Sequence, residues 1–441
     1  MSVAYSASLV AASIAAIILL TSRFKLNAFV SMFVVALALA LAVLPRDKVI
    51  PVIKDGFGGT MASIGFMIIL GAMIGVVLDK TGGSLAIANF VLSKTGPARA
   101  AAALGVTGFI CGMPIFCNSA YIIFSGLSKS FSAKSRIPMP WIASVLGCSL
   151  YAVHCLIPTH PGPLAAAGIM KAGVGQLILL GGVFAIPGAV AAFFWSKWMV
   201  KNRNYAPASE AHIQAPAAPL PSPRLALLPI VIPLALITAK SINELANPDP
   251  ASLLRAALYF PGEPTVALAV GALVALALVK TRSVAALNAM FSEAIEKSGP
   301  ILIVTAAGGM FGEVIKQTGV AEAAGRHLAG IGLGLIAPFL VAAIMKTAQG
   351  SSTVAIITAA SFMAPMLPAL GLDSERGRIF ATLAMGAGSM VISHANDSYF
   401  WVVANFAEIE ANVTLRVYST ATAVMGLVVF AFVWVAGHFA L

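Results

Sequence analysis

Four short polar clusters interrupt an otherwise strongly apolar sequence, and their residue types could bind a small anion or carry protons. In the first cluster Gly112 and Pro114 break a helix, and Asn118 and Ser119 follow directly. A broken helix exposes backbone N–H groups and the positive end of a helix dipole, which can hold a carboxylate. We therefore predict that Asn118 and Ser119 contact a substrate. The alternative is a simple kink in which Asn118 bonds a neighbouring helix.

The second cluster covers residues 154–163 and contains three prolines and a glycine, which excludes a continuous helix. We predict an extended stretch in which His154, Thr159 and His160 bind substrate. Both histidines are also candidates for carrying protons, because histidine changes charge near neutral pH. An ordinary loop remains an alternative. A metal site is less supported, because no third ligand is evident.

The third cluster covers residues 346–353, where Gly350 permits a second break and hydroxyl side chains begin the next helix. Such hydroxyls can cap a helix and also contact a ligand. Lys346 is a cation beside an apolar span, and we predict that it supports an anion site. Its alternative role is to extend towards the membrane interface. The predicted substrate contacts are Gly350, Ser351, Ser352 and Thr353.

The fourth cluster, residues 393–401, is the densest polar run inside an apolar region. Asp397 is a protonatable group with polar neighbours on both sides. A structural turn or an ion pair with Lys346 would also explain it. The predicted substrate contacts are Ser393, His394, Asn396 and Asp397. The proton-coupling candidates of the whole chain are Asp397, His154, His160 and His394.

The elements that carry these clusters are predicted to be membrane helices. Of 441 residues, 59% are hydrophobic and only 10% are charged, whereas soluble domains carry about 25% charged residues. The apolar runs are long and continuous, which predicts an all-α polytopic membrane protein. The net charge of +11 lies mostly in short connections between the runs, so no nucleic-acid partner is expected. The predicted spans are 5–20, 28–44, 63–78, 139–156, 174–198, 225–237, 265–279, 301–315, 380–392 and 415–440, with broken regions at 100–128 and 333–365.

The two halves of the chain repeat one another. Residues 68–82 and 305–319 share the frame G-x-M-x-G-x-V-x-x-x-T-G, beginning at Gly71 and Gly308. Loop charges place equivalent connections on opposite sides of the membrane, which predicts inverted repeats, the architecture of secondary transporters. The predicted organisation is a first repeat at 1–200, a cytoplasmic linker at 201–224 and a second repeat at 225–441. The N-terminus is then periplasmic.

The same clusters carry a resemblance to a known family. The chain resembles the gluconate:proton symporter (gluconate permease) family of the ion transporter superfamily, through residues 56–60 (GFGGT), 154–163, 350–355 and 393–398. The resemblance implies a proton-coupled importer of small hydroxylated monocarboxylates in the bacterial inner membrane. It also implies a homodimer surrounded by lipid, with re-entrant hairpins and an elevator mechanism. Members of that family tend to carry an acidic residue where this chain has Asn118, and an arginine near Lys346. These differences allow for an organic anion other than gluconate.

Alternative functions belong to other classes. A sodium-coupled transporter or a cation/proton antiporter of the same superfamily could hold Na⁺ on Asn396 and Asp397, but the breaks carry few acidic groups. An intramembrane enzyme using His154 and His160 would need a metal triad or a nucleophile pair, and the sequence shows neither. A channel is disfavoured because inverted repeats with broken helices favour alternating access. We therefore expect a transporter rather than an enzyme, without cofactor or metal.

Overall fold

The computed structural model describes residues 3–95, 99–201, 203–208, 219–246, 257–280, 283–318, 334–394 and 397–441. These residues form helices and no strands. The first half contains α1 (Val3–Ser22), α2 (Ala28–Val43), α3 (Arg46–Lys80), α4 (Gly83–Thr95), α5 (Ala100–Gly112), α6 (Cys117–Ser135), α7 (Met139–Leu156), α8 (Pro161–Met170) and α9 (Val174–Val200). The second contains α10 (Pro223–Ala246), α11 (Pro264–Leu276), α12 (Val284–Gln317), α13 (Ile336–Gln349), α14 (Ser352–Met363), α15 (Glu375–Ser389), α16 (Ser398–Phe406), α17 (Ala411–Thr414) and α18 (Thr420–Ala440).

Six helical stretches within these ranges are long and apolar enough to cross a membrane. They are α3, the α7–α8 pair, α9, most of α10, α12 and the stretch through α17 and α18. Large apolar side chains on them remain exposed, among them Phe66, Phe194 and Phe432. A surface of this kind suits a hydrocarbon environment rather than water. The chain is accordingly a multi-pass membrane protein.

The two longest helices, α3 and α12, lie antiparallel against each other. Lys80 at the end of α3 reaches Glu293 near the start of α12, while Gly56 packs on Gly309 near its other end. A methyl group on Gly56 would come within 2.7 Å of the α12 backbone. Small residues at such a crossing allow the close backbone approach that stabilises helix pairs in membranes.

Both long helices begin well before the spans predicted at 63–78 and 301–315. Charged residues in the N-terminal parts of both helices, among them Asp47 and Glu293, and Pro51 and Pro300 inside them, interrupt the apolar pattern without ending the helix. Helices α4, α8 and α16 were not predicted. They are short, and their apolar residues follow helix-breaking sequences that favour a loop.

Helix α7 lies at the centre of the fold, and nearly all of its residues are buried. Four breaks each separate two consecutive helices: α5 from α6, α7 from α8, α13 from α14, and α15 from α16. The first break rests on α3 at Gly75, where a methyl group would come within 2.6 Å of the Pro114 carbonyl oxygen. At the third break Gly350 adopts a positive φ of 83°, which glycine reaches without strain.

The breaks predicted near residues 113–118 and 350 are present. The extended stretch predicted for 154–163 is only partly correct. His154 belongs to the last turn of α7, and α8 already begins at Pro161. Proline is tolerated in the first turn of a helix, because the N–H that it lacks would have no intrahelical partner there. The non-helical part is therefore limited to residues 157–160.

Candidate functional site

The four breaks surround one polar cavity of about 300 Å³, which we call the central cavity. Its walls come from the break before α6, from α7 and α8, from α12, and from the breaks before α14 and α16. The lining residues are Phe116, Cys117, Asn118, Ser119, Tyr151, His154, Pro161, Lys297, Ile301, Ser351, Ser352, Thr353, Asp397, Ser398 and Tyr399. The volume lies at the lower end of the range for small-molecule sites.

Four helices direct their N-terminal ends at the central cavity. These are α6, α8, α14 and α16, whose first residues Cys117, Pro161, Ser352 and Ser398 all line it. The first N–H groups of a helix have no intrahelical acceptor, and the dipole places partial positive charge there. Helix α6 has no side-chain cap at Phe116. Ser351 and Asp397 already cap α14 and α16, so among the four ends the uncapped start of α6 is best suited to an anion.

A buried ion pair joins the third break to the fourth. Lys346 Nζ lies 2.5 Å from Asp397 Oδ2, and both side chains are almost completely buried. Lys346 also donates to the Gly350 carbonyl oxygen. Asp397 accepts from the Ser393 hydroxyl at 2.5 Å and caps α16 by accepting from the Tyr399 N–H at 2.9 Å. The carboxylate is thus already held by three donors, and its charge is balanced.

A second polar contact joins both buried histidines to the cavity wall. His160 Nδ1 lies 3.3 Å from His154 Nδ1, and His154 Nε2 lies 3.3 Å from Thr353 Oγ1. The other ring nitrogen of His160 is 2.6 Å from the Gly112 carbonyl oxygen at the end of α5. The first, second and third clusters of the sequence therefore meet in one hydrogen-bonded chain.

Lys297 is a lining residue that the sequence analysis missed. It lies on α12 and pairs with Glu293 at 2.8 Å, while Glu293 also binds Lys80 at 2.9 Å. About a third of the Lys297 side chain is exposed. On a helix with several charged residues, spacing alone gives no reason to select this lysine. Its position opposite the breaks depends on the packing of α12.

The predicted site residues fall into three groups. Those that line the central cavity are Asn118, Ser119, His154, Ser351, Ser352, Thr353 and Asp397. His160, Lys346, Gly350 and Ser393 lie behind that wall and contact it through the bonds given above, so Lys346 does not face the cavity as an anion ligand. Neither Thr159 nor His394 is among the lining residues. Asn396 lies outside the described residues.

The position of Thr159 differs from the prediction for a structural reason. Its carbonyl oxygen faces Gly71 of α3, and the residue lines a separate, apolar cavity with Met113 and Pro158. Its buried hydroxyl has no hydrogen-bond partner in the described part of the chain. The turn between α7 and α8 directs the side chain away from the four helix ends.

Two further features bear on the chemistry. In the ranges that the structure describes, no three His, Cys, Asp or Glu residues are grouped so that they could hold a metal ion. A further cavity of about 550 Å³, which we call the second cavity, lies between α3 and α12 on one side and the C-terminal ends of α8 and α14 on the other. Asp55, Lys171, Glu313 and Arg378 are among its charged lining residues.

Comparisons with known proteins agree over nearly the whole chain. A family model described as GntP family permease matches residues 5–438. The inner membrane permease YgbN of Escherichia coli K12 is 32% identical over 443 residues, covering 96% of each chain. The high-affinity gluconate transporter of the same strain is 31% identical and covers 95% of this chain and 97% of its own.

A solved structure shares the fold. The YdaH transporter of Alcanivorax borkumensis, whose crystal structure has an unusual topology, superposes with a TM-score of 0.64. The match covers 93% of this chain and 98% of the other, at 15% sequence identity. At that identity the likeness concerns the arrangement of helices.

Proposed function

The chain belongs to the GntP family of permeases, and we propose that it imports a small hydroxylated monocarboxylate, such as gluconate, together with a proton. The resemblance inferred from four motifs is thereby confirmed at the level of the family, and the protein is a transporter rather than an enzyme. The gluconate transporter among its relatives supports sugar acids as the substrate class. We place the protein in the bacterial inner membrane, as a homodimer with its linker in the cytoplasm.

The observation that carries this proposal is the convergence of four helix N-termini on the central cavity. Backbone N–H groups at such ends bind carboxylates without a cationic side chain. Asn118, Ser119, Ser352 and Thr353 line the same cavity and can bond substrate hydroxyl groups, since each has both donor and acceptor capacity. The cavity thus combines an anion site with a surface suited to a polyhydroxylated chain.

Proton coupling is favoured over a sodium site. The sodium alternative relied on Asp397 as an oxygen ligand, yet Asp397 is neutralised by Lys346 at 2.5 Å and caps α16. A cation would have to compete with that ammonium group for the same oxygen. The two histidines, in contrast, lie beside the cavity and have a nitrogen available for protonation.

The directions of equivalent helices support inverted repeats and movement of the site. Helices α6 and α14 both begin at the central cavity, but α6 runs towards the linker, where Ser132 bonds Ala208, and α14 runs towards the second cavity. The central cavity reaches α12 at Lys297, in the half of that helix nearer the linker. We propose that the central cavity opens towards the cytoplasm in this structure. In an elevator cycle, the second cavity provides space into which the helices that carry the central cavity move.

Uptake by purified protein in proteoliposomes tests the proposal. Labelled D-gluconate should accumulate when the outside is acidic, and collapse of the pH gradient should abolish accumulation. Asn118→Ala should reduce uptake, whereas Asn412→Ala, which changes an exposed asparagine in α17, should not. Accumulation driven by a sodium gradient alone would refute proton coupling. No uptake or binding of any sugar acid would refute the substrate class.

A further inference from the structure

The histidine chain beside the central cavity has a fixed direction. A carbonyl oxygen can only accept, so the hydrogen between His160 Nε2 and the Gly112 carbonyl must lie on His160 Nε2. In a neutral imidazole the other nitrogen is then an acceptor. His160 Nδ1 therefore accepts from His154 Nδ1 across 3.3 Å, and this leaves His154 Nε2 as an acceptor.

The direction of the chain determines what Thr353 presents to a substrate. With both histidines neutral, the Thr353 hydroxyl donates to His154 Nε2 across 3.3 Å. Its oxygen lone pairs then face the central cavity, which Thr353 lines. Lone pairs repel a carboxylate, so the neutral chain makes this wall less favourable for an anion.

A single proton reverses that polarity. Two ring nitrogens in the chain lack a hydrogen. His160 Nδ1 already accepts from the His154 N–H, so the proton adds to His154 Nε2. Once protonated, it donates to Thr353 Oγ1, and the Thr353 hydroxyl rotates to donate into the cavity. The imidazolium also places a positive charge at the wall. Both changes favour an anion, and by thermodynamic reciprocity a bound anion favours the proton.

We propose that His154 takes up the coupling proton and that Thr353 transmits its presence to the substrate as a reversal of hydroxyl direction. This inference rests on the proposed function and specifies its coupling residue. His160 is a positioning residue, because it holds His154 in the tautomer that exposes Nε2 to Thr353. Asp397 is not the coupling group, since protonation would remove the charge that balances Lys346.

The surroundings of His154 are compatible with one added charge. The titratable groups that face it are His160 from the break before α8, Tyr151 from its own helix, and Cys117 and Lys297 across the cavity. Lys346 from α13 lies behind Tyr151, with its ammonium 5.6 Å from that ring, and Asp397 compensates it. Lys297 shares Glu293 with Lys80, and Asp79 at the end of α3 interacts electrostatically with the same two lysines. Among the described residues these charges balance, and a bound substrate carboxylate adds one negative charge.

The test counts protons taken up with substrate. Calorimetric titration of the purified protein with D-gluconate, in buffers of different ionisation enthalpy, gives the number of protons bound per gluconate. We expect about one for the wild type and about none for His154→Gln, which still binds gluconate because the helix ends remain. In proteoliposomes His154→Gln should lose the accumulation of gluconate that a pH gradient drives. His438→Gln, at an exposed position near the C-terminus, should behave as wild type.

Variants at Thr353 keep the test decisive if His154→Gln does not fold. Thr353→Val preserves the side-chain shape without the hydroxyl, and should weaken gluconate binding about tenfold and remove the proton uptake. Thr353→Ser should retain both. Wild-type proton uptake in His154→Gln or in Thr353→Val would overturn the inference, as would gluconate binding to the wild type without proton uptake. A wild type that binds no gluconate or other sugar acid would instead overturn the proposed function, and the inference with it.

Discussion

The buried pair between Lys346 and Asp397 allows a quantitative test of the reasoning about the site. Removing one member of a buried pair leaves an uncompensated charge and costs about 3–5 kcal/mol. The two single variants should differ. Lys346→Met leaves the carboxylate with the Ser393 hydroxyl and the Tyr399 N–H, so we expect a loss of about 3 kcal/mol.

Asp397→Asn should be worse. The amide keeps the cap on α16, because its oxygen can still accept from the Tyr399 N–H. Among the described residues, however, the Lys346 ammonium then keeps only the Gly350 carbonyl and the face of Tyr151. We expect a loss of about 4–5 kcal/mol. The double variant removes both charges and should be destabilised by about 2–3 kcal/mol less than the sum of the single variants.

Reversible unfolding in mixed detergent micelles measures these free energies. The control is the pair of Lys129 and Glu408, at 2.5 Å, in which the Glu408 side chain is 67% and the Lys129 side chain 17% exposed. Glu408→Gln there should cost less than about 1 kcal/mol. Two results would refute the conclusion that this desolvated pair holds the two breaks together. One is that the losses of unfolding free energy at Lys346 and Asp397 are strictly additive, and the other is that each single loss is as small as the control.

Three further variants test other parts of the site. Lys297→Gln should raise the KM for gluconate about five- to tenfold, because it removes a cation that lines the cavity. The control is Lys316→Gln on the same helix. An unchanged KM would show that Lys297 does not reach the substrate. Ser119→Asp places a negative charge in the uncapped first turn of α6, so the Kd for gluconate in direct titration should rise at least about tenfold. Tighter binding would contradict an anion site at this helix end. Gly75→Ala should lower thermal stability by an amount equivalent to about 1–3 kcal/mol, because its methyl group meets a carbonyl in the first break at 2.6 Å. Gly126→Ala, which meets nothing within 4 Å, should be neutral or stabilising.

The sequence predicted the positions of the breaks better than it predicted which side chains meet at them. Gly350 and Pro114 have local conformational effects, so their positions could be identified without knowing the fold. The pairing of Lys346 with Asp397 joins residues 51 positions apart, and it appeared only as one of two alternatives to a functional Asp397. Lys297 could not be selected, because its distance from the breaks depends on how α12 packs. Thr159 was predicted to bind substrate but lines the separate apolar cavity, since the turn after α7 determines which way its side chain faces.

The charges around the central cavity suggest why anion and proton would move together. The empty site is neutral in this scheme, because Lys346 balances Asp397, Glu293 and Asp79 balance Lys297 and Lys80, and His154 is a neutral imidazole. A site holding one monocarboxylate and one proton on His154 is also neutral. A site holding only one of them carries a net charge, and a charge at mid-membrane depth costs at least about 2.5 kcal/mol. A penalty of that size disfavours movement of a site that holds only the anion or only the proton by almost a hundredfold. The empty site and the site that holds both do not incur this penalty. Helix N-termini fit this scheme better than a cationic side chain would, because they bind the carboxylate without leaving a full positive charge in the empty site.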